Sequence, residues 1–179
     1  MKKTKIAIGA DHAGFELKEY LKEYLKSKDF EVIDFGCDST ESVDYPDYAI
    51  PVAEYLLEEV TEDLAELIRS GVPFEELEID PDFHHFPSED NSKGILICGS
   101  GSGMCMTANK VEDIRAVNCY NKEIASLAVR HNDANVLCLG ARFVSKELAK
   151  EIVDTFLNEK FEMGRHFDRV MKVHCQTGI

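Results

Sequence analysis

The sequence has little positive charge and no long apolar run. It contains 20 Lys and Arg residues against 34 Asp and Glu residues, which gives a formal net charge of -14 at pH 7. Because this charge repels phosphate backbones and anionic lipids, we expect neither nucleic acid nor a membrane as a partner. No apolar run approaches the roughly 20 residues of a membrane-spanning helix. We therefore expect a cytoplasmic protein, in which any phosphate-bearing ligand needs a local basic pocket.

The cysteines lack the spacing of a disulfide framework or of a thiolate metal site. No C-x-x-C pair occurs, and the six cysteines are spread over the chain, at Cys37, Cys98, Cys105, Cys119, Cys138 and Cys175. We expect reduced thiols. The adjacent His84 and His85 have no acidic or thiol partner at a recognisable ligand spacing. The sequence therefore predicts no metal site.

The chain length and the hydrophobic pattern predict one α/β domain. A chain of 179 residues with 44% hydrophobic composition can bury one good-sized core. Runs rich in β-branched residues alternate with helical patterns, which is typical of βαβ units. We predict a three-layer α/β/α sandwich around a five-stranded parallel sheet, Rossmann-like and with a flavodoxin-like strand order. The predicted strands are 5–10, 31–35, 94–97, 114–119 and 134–139, and the predicted helices include 15–28, 61–70, 122–130 and 146–158.

One acidic stretch, at about 58–93, does not follow this alternation. It contains Pro73, Pro81 and Pro87 and ends in a loop-like run of polar residues. We interpret it as an insertion into the single domain. It enters before the third strand, on the amino-terminal side of the sheet, so we expect it to decorate the surface or a subunit contact.

Unusual sequences follow the first, third and fifth predicted strands. In open parallel sheets, ligands collect at the carboxyl ends of strands, so these loops could share one crevice. The loops are Gly9-Ala10-Asp11-His12-Ala13-Gly14, Cys98-Gly99-Ser100-Gly101-Ser102-Gly103 and Gly140-Ala141-Arg142.

The glycine-rich loop is a candidate cradle for an oxyanion or a phosphate. Its glycines allow a ligand to approach the backbone closely, and the helix that follows offers free amides to an anion. The spacing is G-x-G-x-G and not the G-x-G-x-x-G of dinucleotide sites. Cys98, at the start of this loop, is placed where a helix N-terminus favours a thiolate, which suits a base or a nucleophile. Alternatively, Cys98 is only a small buried apolar residue.

Other polar residues allow two interpretations each. His131, before the fifth strand, is either an accessible acid or base or part of a turn. Asp11 either contacts a ligand or caps the next helix. Arg165, His166 and Arg169 either form a phosphate clamp or lie on a basic helix surface.

Taken together, the motifs resemble the ribose-5-phosphate isomerase B family, which also contains the galactose-6-phosphate isomerase subunits. The resemblance covers nearly the whole chain apart from the insertion. It rests on the loops that follow the first and the third predicted strands and on further blocks in family order. These blocks are Asp44-Tyr45-Pro46-Asp47-Tyr48-Ala49, Gly94-Ile95-Leu96-Ile97, Ala108-Asn109-Lys110, His131-Asn132-Asp133-Ala134-Asn135-Val136-Leu137 and Gly164-Arg165-His166.

The resemblance implies interconversion of ribose 5-phosphate and ribulose 5-phosphate through a cis-enediolate, a reaction of the pentose phosphate pathway, without a metal or an organic cofactor. It implies that Cys98 moves a proton between C2 and C1 and that His131 opens the furanose ring. Ser100 and the loop amides at Gly99, Gly101, Ser102 and Gly103 would steady the base and the developing oxyanion.

The resemblance also implies the residues that bind the sugar and its phosphate. Asp11 and Tyr45 would hold the hydroxyls, and Asn132 would lie near the reacting oxygens. The phosphate clamp would consist of His12, Arg142, Arg165 and Arg169. Members of the family build the site from two subunits, so a homodimer or a tetramer with a shared active site is implied.

Departures from the family pattern leave alternatives open. Met163 replaces the first glycine of the usual Gly-Gly-Arg-His, and Ser102 replaces a residue that is commonly aliphatic in the family. The nearest alternative function is that of a galactose-6-phosphate isomerase subunit or another phosphosugar isomerase. Cys98 favours a self-sufficient ribose enzyme. A more distant alternative is a non-catalytic protein that binds a phosphosugar or a nucleotide through the same loop.

Overall fold

The computed structural model describes residues 4–69 and 92–176, with side chains described for 4–58 and 92–173. Strands and helices alternate over this part of the chain, as predicted. In chain order they are β1 (Lys5–Ala10), α1 (Phe15–Ser27), β2 (Glu31–Asp34), α2 (Pro46–Arg69), β3 (Lys93–Cys98), α3 (Ser102–Ala108), β4 (Ala116–Asn118), α4 (Lys122–Asn132), β5 (Val136–Gly140), α5 (Lys146–Asn158), a 3₁₀ turn (Gly164–His166) and α6 (Phe167–Gln176).

The strands form one five-stranded sheet in the order β2-β1-β3-β5-β4. All neighbouring strands are parallel, and the predicted α/β fold is confirmed. The flavodoxin-like order is 2-1-3-4-5, so the last two strands are exchanged in this sheet. The exchange places β5 beside β3, and the register pairs Cys98 with Gly140.

The sheet separates two apolar cores. Alternate residues of a strand face opposite sides. In β3, Ile95 and Ile97 pack with the buried faces of α1, α4 and α5. Leu96 and Cys98 pack with those of α2 and α3. Cys98 therefore lies at the end of a central strand, on the side that α2 and α3 cover.

Because the sheet is parallel, it has a carboxyl edge, where the strands end, and an amino edge, where they begin. Ala10 pairs with Ile97 and Cys98 pairs with Gly140, so β1, β3 and β5 end side by side. Their following loops meet at the carboxyl edge. The helices run back and end at the amino edge.

Some predicted boundaries were wrong. The helix predicted for 61–70 is the second part of a longer helix, α2, which begins at Pro46 and continues because no proline or glycine follows Pro51 within it. The fourth and fifth strands begin later than predicted, at Ala116 and Val136, because the side-chain oxygen of Asn135 accepts the Arg115 amide at 2.8 Å.

The end of α4 was also predicted wrongly. The helix continues through His131 and Asn132 to Asp133, which takes a left-handed conformation with φ of 49°. An aspartate tolerates this conformation at a helix end. His131 is therefore in the last helical turn and not in a loop before β5.

The predicted insertion and the pair His84-His85 fall mainly or wholly outside the described residues. Within the part of the chain that is described, no helix is both long enough and apolar enough to cross a bilayer.

Candidate active site

A cleft of about 220 Å³ opens at the carboxyl edge of the sheet. It is formed by the loops after β1, β3 and β5, as the strand-end rule predicted, together with Tyr45 from the start of α2. The lining residues are Asp11, His12, Ala13, Tyr45, Cys98, Gly99, Ser100, Gly103 and Arg142. The cleft thus brings together most of the residues predicted to bind or transform a ligand.

Cys98 lies at the base of the glycine-rich loop, with 4% of its surface exposed. The backbone amide of Gly101 donates a hydrogen bond to the Cys98 sulfur at 3.1 Å. Gly101 has a φ of 78°, in the left-handed region, and a Cβ there would lie 2.2 Å from Oδ1 of Asn118. Glycine is therefore required for this amide to face the sulfur. An amide donor at this distance stabilises the sulfur most when it carries negative charge.

Two more glycines of the loop allow cleft side chains to approach the backbone. A Cβ on Gly103 would lie 2.8 Å from the ring of Tyr45, and a Cβ on Gly99 would lie 3.2 Å from Nε of Arg142. Arg142 is also held by its own amide, which donates to the Gly99 carbonyl at 3.2 Å. A phenol and a guanidinium therefore flank the loop.

Asp11 and His12 are fixed by backbone contacts. Oδ1 of Asp11 accepts hydrogen bonds from the amides of Ala13 at 3.0 Å and Gly14 at 3.1 Å, in the turn before α1. The N-cap of α1 is Gly14, without a side-chain cap, so Asp11 holds the turn beside the cleft and the capping interpretation was wrong. Nδ1 of His12 lies 3.2 Å from both the amide nitrogen and the carbonyl oxygen of Val43. Both side chains are therefore oriented before any ligand binds.

Asn118, at the end of β4, was not among the site residues predicted from the sequence. Its amide nitrogen donates to the Ser100 carbonyl at 3.1 Å and lies 3.4 Å from the Ser102 hydroxyl. It therefore holds the glycine-rich loop at Ser100 and Ser102. Its place at the carboxyl end of a strand was the signal that could have found it.

The remaining predicted site residues do not line the cleft. His131 and Asn132 are in the last turn of α4, which has 11 residues and so extends about 16 Å from the carboxyl edge toward the amino edge. Arg165 and Arg169 lie nearby, in the 3₁₀ turn and in α6, which contacts α4. One copy of the chain thus carries two separate groups of predicted site residues, at opposite edges of its sheet.

The group at the amino edge is ordered by close polar contacts, and we call it the amino-edge cluster: Arg130, His131, Glu162, Arg165 and His166. The rings of His131 and His166 are stacked. Nε of Arg130 donates to Oε1 of Glu162 at 2.7 Å. Oε2 of Glu162 lies 3.5 Å from Nε2 of His131 and 3.8 Å from Nε2 of His166.

Two pKa shifts reflect these contacts. The hydrogen bond from Arg130 is the main reason that the pKa of Glu162 is lowered. Burial lowers the pKa of His166, and the neighbouring His131, Arg165 and Arg169 lower it further. Glu162 is therefore ionised and His166 neutral near pH 7.

Three side chains of this cluster have donor atoms at a spacing that a metal ion could bridge. The atoms of His131, Glu162 and His166 lie within 4.8 Å of one another. However, Nε of Arg165 donates to Nε2 of His166 at 3.4 Å, and Arg130 binds Glu162. The guanidinium groups of Arg130 and Arg165 therefore already bind Glu162 and His166, and their positive charge repels a metal ion.

Comparison with known proteins identifies the family. The ribose/galactose isomerase family matches residues 6–69 and 84–173. The chain belongs to this family. Ribose-5-phosphate isomerase B of Escherichia coli is 43% identical, covering 93% of this chain and 91% of that protein. A relative from Rickettsia bellii, named only as a sugar phosphate isomerase, is 39% identical over 97% of this chain and 99% of its own length.

The fold comparison agrees with the sequence match. The crystal structure of ribose-5-phosphate isomerase B from Mycoplasma genitalium with bound ribulose-5-phosphate aligns with a TM-score of 0.77 at 36% identity, covering 96% of this chain and 95% of that one. The resemblance predicted from the sequence motifs is confirmed. The protein is a sugar-phosphate isomerase of the ribose/galactose isomerase family. Residues 70–83 have no counterpart in the family match.

Among the described cysteines of this family member, all are free thiols, as predicted. Burial raises the pKa of Cys119 to about 12 and that of Cys138 well above its usual value. Burial also raises the pKa of Cys37. Cys105 differs, because a hydrogen bond with Cys138 lowers its pKa to about 7. Cys98 alone of these thiols lines the cleft.

Proposed function

We propose that the protein interconverts D-ribose 5-phosphate and D-ribulose 5-phosphate through a cis-enediolate. The observation that carries the proposal is the Cys98 sulfur, which lines the carboxyl-edge cleft and accepts the Gly101 amide at 3.1 Å. An aldose–ketose isomerase needs one base that can take a proton from one carbon and return it to the next. A thiolate at the base of a cleft, with the Gly101 amide as a hydrogen-bond donor, suits that task.

The proposed reaction conserves all atoms and electrons. The Cys98 thiolate removes the proton from C2 of the open-chain aldose, and the electron pair forms the C1–C2 double bond of the enediolate as charge moves to O1. The thiol then returns the proton to C1, while the proton of the C2 hydroxyl passes to O1. Ser100 and the loop amides from Gly99 to Gly103 stabilise the charged oxygen.

Binding of the substrate is assigned to polar groups around Cys98. Asp11 and Tyr45 hold the sugar hydroxyls, and Asn132 binds near the reacting oxygens. His12, Arg142, Arg165 and Arg169 bind the phosphate, for which guanidinium groups are suited in shape and charge. These residues provide the local basic pocket that a chain with a net charge of -14 requires.

A homodimer completes the proposed site. His131, Asn132, Arg165 and Arg169 lie at the amino edge of their own sheet, whereas the cleft opens at the carboxyl edge. They reach a cleft if a second copy presents its amino edge to the carboxyl edge of the first. In such a dimer each active site takes Cys98 from one copy and His131, which opens the furanose ring, from the other.

Isomerisation of galactose 6-phosphate is the second candidate function. The family is named for both ribose and galactose isomerases, and the relative from Rickettsia bellii is named only as a sugar phosphate isomerase. A ribose enzyme is favoured because the relatives from Escherichia coli and Mycoplasma genitalium, at 43% and 36% identity, are named for ribose 5-phosphate.

Assays of the purified chain on both sugar phosphates test the proposal. We expect turnover of ribose 5-phosphate, and we expect Cys98→Ala to lower kcat by about 10³-fold, since a positioned acid or base contributes about that much. Cys105→Ala is the matched control, because Cys105 is a partly exposed thiol in α3 outside the cleft. Turnover of galactose 6-phosphate alone would overturn the choice of substrate, and unchanged activity of Cys98→Ala would overturn the assigned base.

A further inference from the structure

Glu162 is the central member of the amino-edge cluster. It lies between α5 and the 3₁₀ turn and joins that connection to the end of α4. Its backbone amide donates to the Arg130 carbonyl at 3.0 Å, and its two carboxylate oxygens face different groups. Oε1 accepts from Arg130, and Oε2 faces the imidazoles of His131 and His166.

We propose that Glu162 is a positioning residue for His131, holding the imidazole in the orientation and tautomer that open the furanose ring of the substrate. This inference rests on the proposed function, because it concerns the ring-opening step assigned to His131. It adds a residue that does not itself contact the sugar.

Because His166 is engaged by another partner, Oε2 of Glu162 is available to interact with His131. Arg165 donates to Nε2 of His166, so this nitrogen is an acceptor and has no proton to share with the carboxylate. Nε2 of His131 is 3.5 Å from Oε2, close enough for an N–H on that nitrogen to point at the carboxylate. Glu162 therefore acts on His131, and His166 contributes its ring face.

Three restraints together fix the His131 ring. The stacked ring of His166 sets its plane, since the two planes differ by 8°. Glu162 sets the rotation within that plane, and Arg130 holds Glu162. A carboxylate beside one imidazole nitrogen keeps the proton on that nitrogen and leaves the other free to exchange protons, as in other acid–base sites.

The assigned tautomer gives a balanced ring-opening step. With Nε2 protonated and facing Glu162, Nδ1 of His131 accepts the proton of the C1 hydroxyl as the C1–O4 bond breaks and the C1 carbonyl forms. The imidazolium then returns that proton to O4. Glu162 stays ionised throughout and stabilises the transient positive charge on His131.

Glu162→Gln tests the inference, because glutamine keeps an oxygen for Arg130 but places no charge beside His131. We expect kcat on ribose 5-phosphate to fall about 10- to 100-fold, part of what an acid–base group contributes, with KM unchanged within error because a residue that only positions His131 does not alter substrate binding. Glu162→Asp, which restores the charge, should recover most of kcat. Glu159→Gln is the matched control, since Glu159 is in the same connection but binds Ser126 at 2.7 Å.

Isotope exchange separates positioning from structural damage. Ribulose 5-phosphate is acyclic, so exchange of a C1 hydrogen with deuterium oxide needs Cys98 but no ring step. When ring closure is slow, the enediolate returns to ribulose 5-phosphate more often before ribose 5-phosphate is released. We therefore expect Glu162→Gln to raise the ratio of the C1 exchange rate to the rate of ribose 5-phosphate formation by about 10-fold or more, in line with its effect on kcat.

The outcomes distinguish a failure of the positioning role from a failure of the proposed function. An unchanged exchange ratio, a lower kcat that Glu162→Asp does not restore, or a rise in KM instead of a fall in kcat would overturn the positioning role. Full activity of Glu162→Gln would also overturn it. A wild-type protein without turnover of ribose 5-phosphate would instead overturn the proposed function, so the two failures are distinguishable.

Discussion

The imidazole rings of His131 and His166 lie parallel, with centroids 4.2 Å apart and planes that differ by 8°. Two histidines in such contact cannot both carry a proton without mutual repulsion. This repulsion is avoided because His166 is buried and Nε of Arg165 donates a hydrogen bond to its Nε2. His166 therefore remains neutral and supports His131.

This arrangement predicts how stability depends on pH. Burial, His131, Arg165 and Arg169 lower the pKa of His166 in the folded protein, whereas the unfolded chain titrates near the usual value of about 6.5. The unfolded state therefore binds a proton more readily. The contribution of neutral His166 is present above about pH 6.5 and is lost as the pH falls toward and through the lowered folded pKa.

Urea unfolding between pH 7.5 and 5 measures this effect. We expect the free energy of unfolding of the wild-type protein to fall with pH over this range. His166→Phe keeps an aromatic ring against His131 but cannot bind a proton, so its slope should be flatter. Equal slopes for the two proteins would contradict the prediction.

A residue missed by the sequence analysis, Asn118, should matter for the rate. Asn118→Ala removes the amide that holds the Ser100 carbonyl and contacts the Ser102 hydroxyl, and the loop that faces Cys98 loses that restraint. We expect kcat/KM for isomerisation to fall about tenfold, which corresponds to about 1.4 kcal/mol in the barrier. Asn158→Ala is the control, because the Asn158 amide donates to the Asp154 carbonyl within α5, and its kcat/KM should stay at the wild-type value.

Much of the fold was predictable because local patterns and packing agree. Strand β1 and helix α5 have the predicted bounds. In α5 the Ser145 hydroxyl accepts the Leu148 amide at 3.1 Å and begins the helix. The bounds of β4 and β5 depend on the contact between Asn135 and Arg115, which lie 20 residues apart. No local pattern encodes such a contact.

The candidate site was likewise predictable from the sequence only in part. The cleft followed from one rule, that parallel strands end at one edge, and from residues at or just after a strand end, such as Cys98 and Asp11. Asn118 and Glu162 were missed because their roles depend on partners 18 and 32 residues away. A glutamate between two helices gives no sequence signal of the histidine that it faces.

Met163 is the departure from the family pattern with a visible structural consequence. It has a φ of 57° and a ψ of -151°, a conformation that glycine adopts freely and other residues adopt only with strain. We expect Met163→Gly to stabilise the protein by about 1 kcal/mol, as relief of strain exceeds the entropy that glycine costs. The melting temperature measures the change. Met106→Gly, in the helix α3, is the contrasting control and should destabilise the protein by about 1 kcal/mol, so a loss of stability in both variants would contradict the explanation.

Subunit mixing tests whether the two edges work together. Cys98→Ala damages only the carboxyl-edge cleft, and His131→Ala damages only the amino-edge cluster. In a homodimer with shared sites, a mixed dimer has one active site with both defects and one with neither. Equal amounts of the two inactive variants, allowed to exchange subunits, form mixed dimers in half of the population.

The mixture should therefore recover about one quarter of wild-type activity, because half of the dimers each have one of two sites intact. Neither variant alone should gain activity under the same treatment. Different affinity tags on the two variants allow mixed dimers to be purified, and these should reach about half of wild-type activity per dimer. If purified mixed dimers stay inactive, Cys98 and His131 do not meet across the subunit contact. Within one copy His131 and Cys98 lie at opposite edges of the sheet, so this imidazole would then be excluded from the ring-opening step.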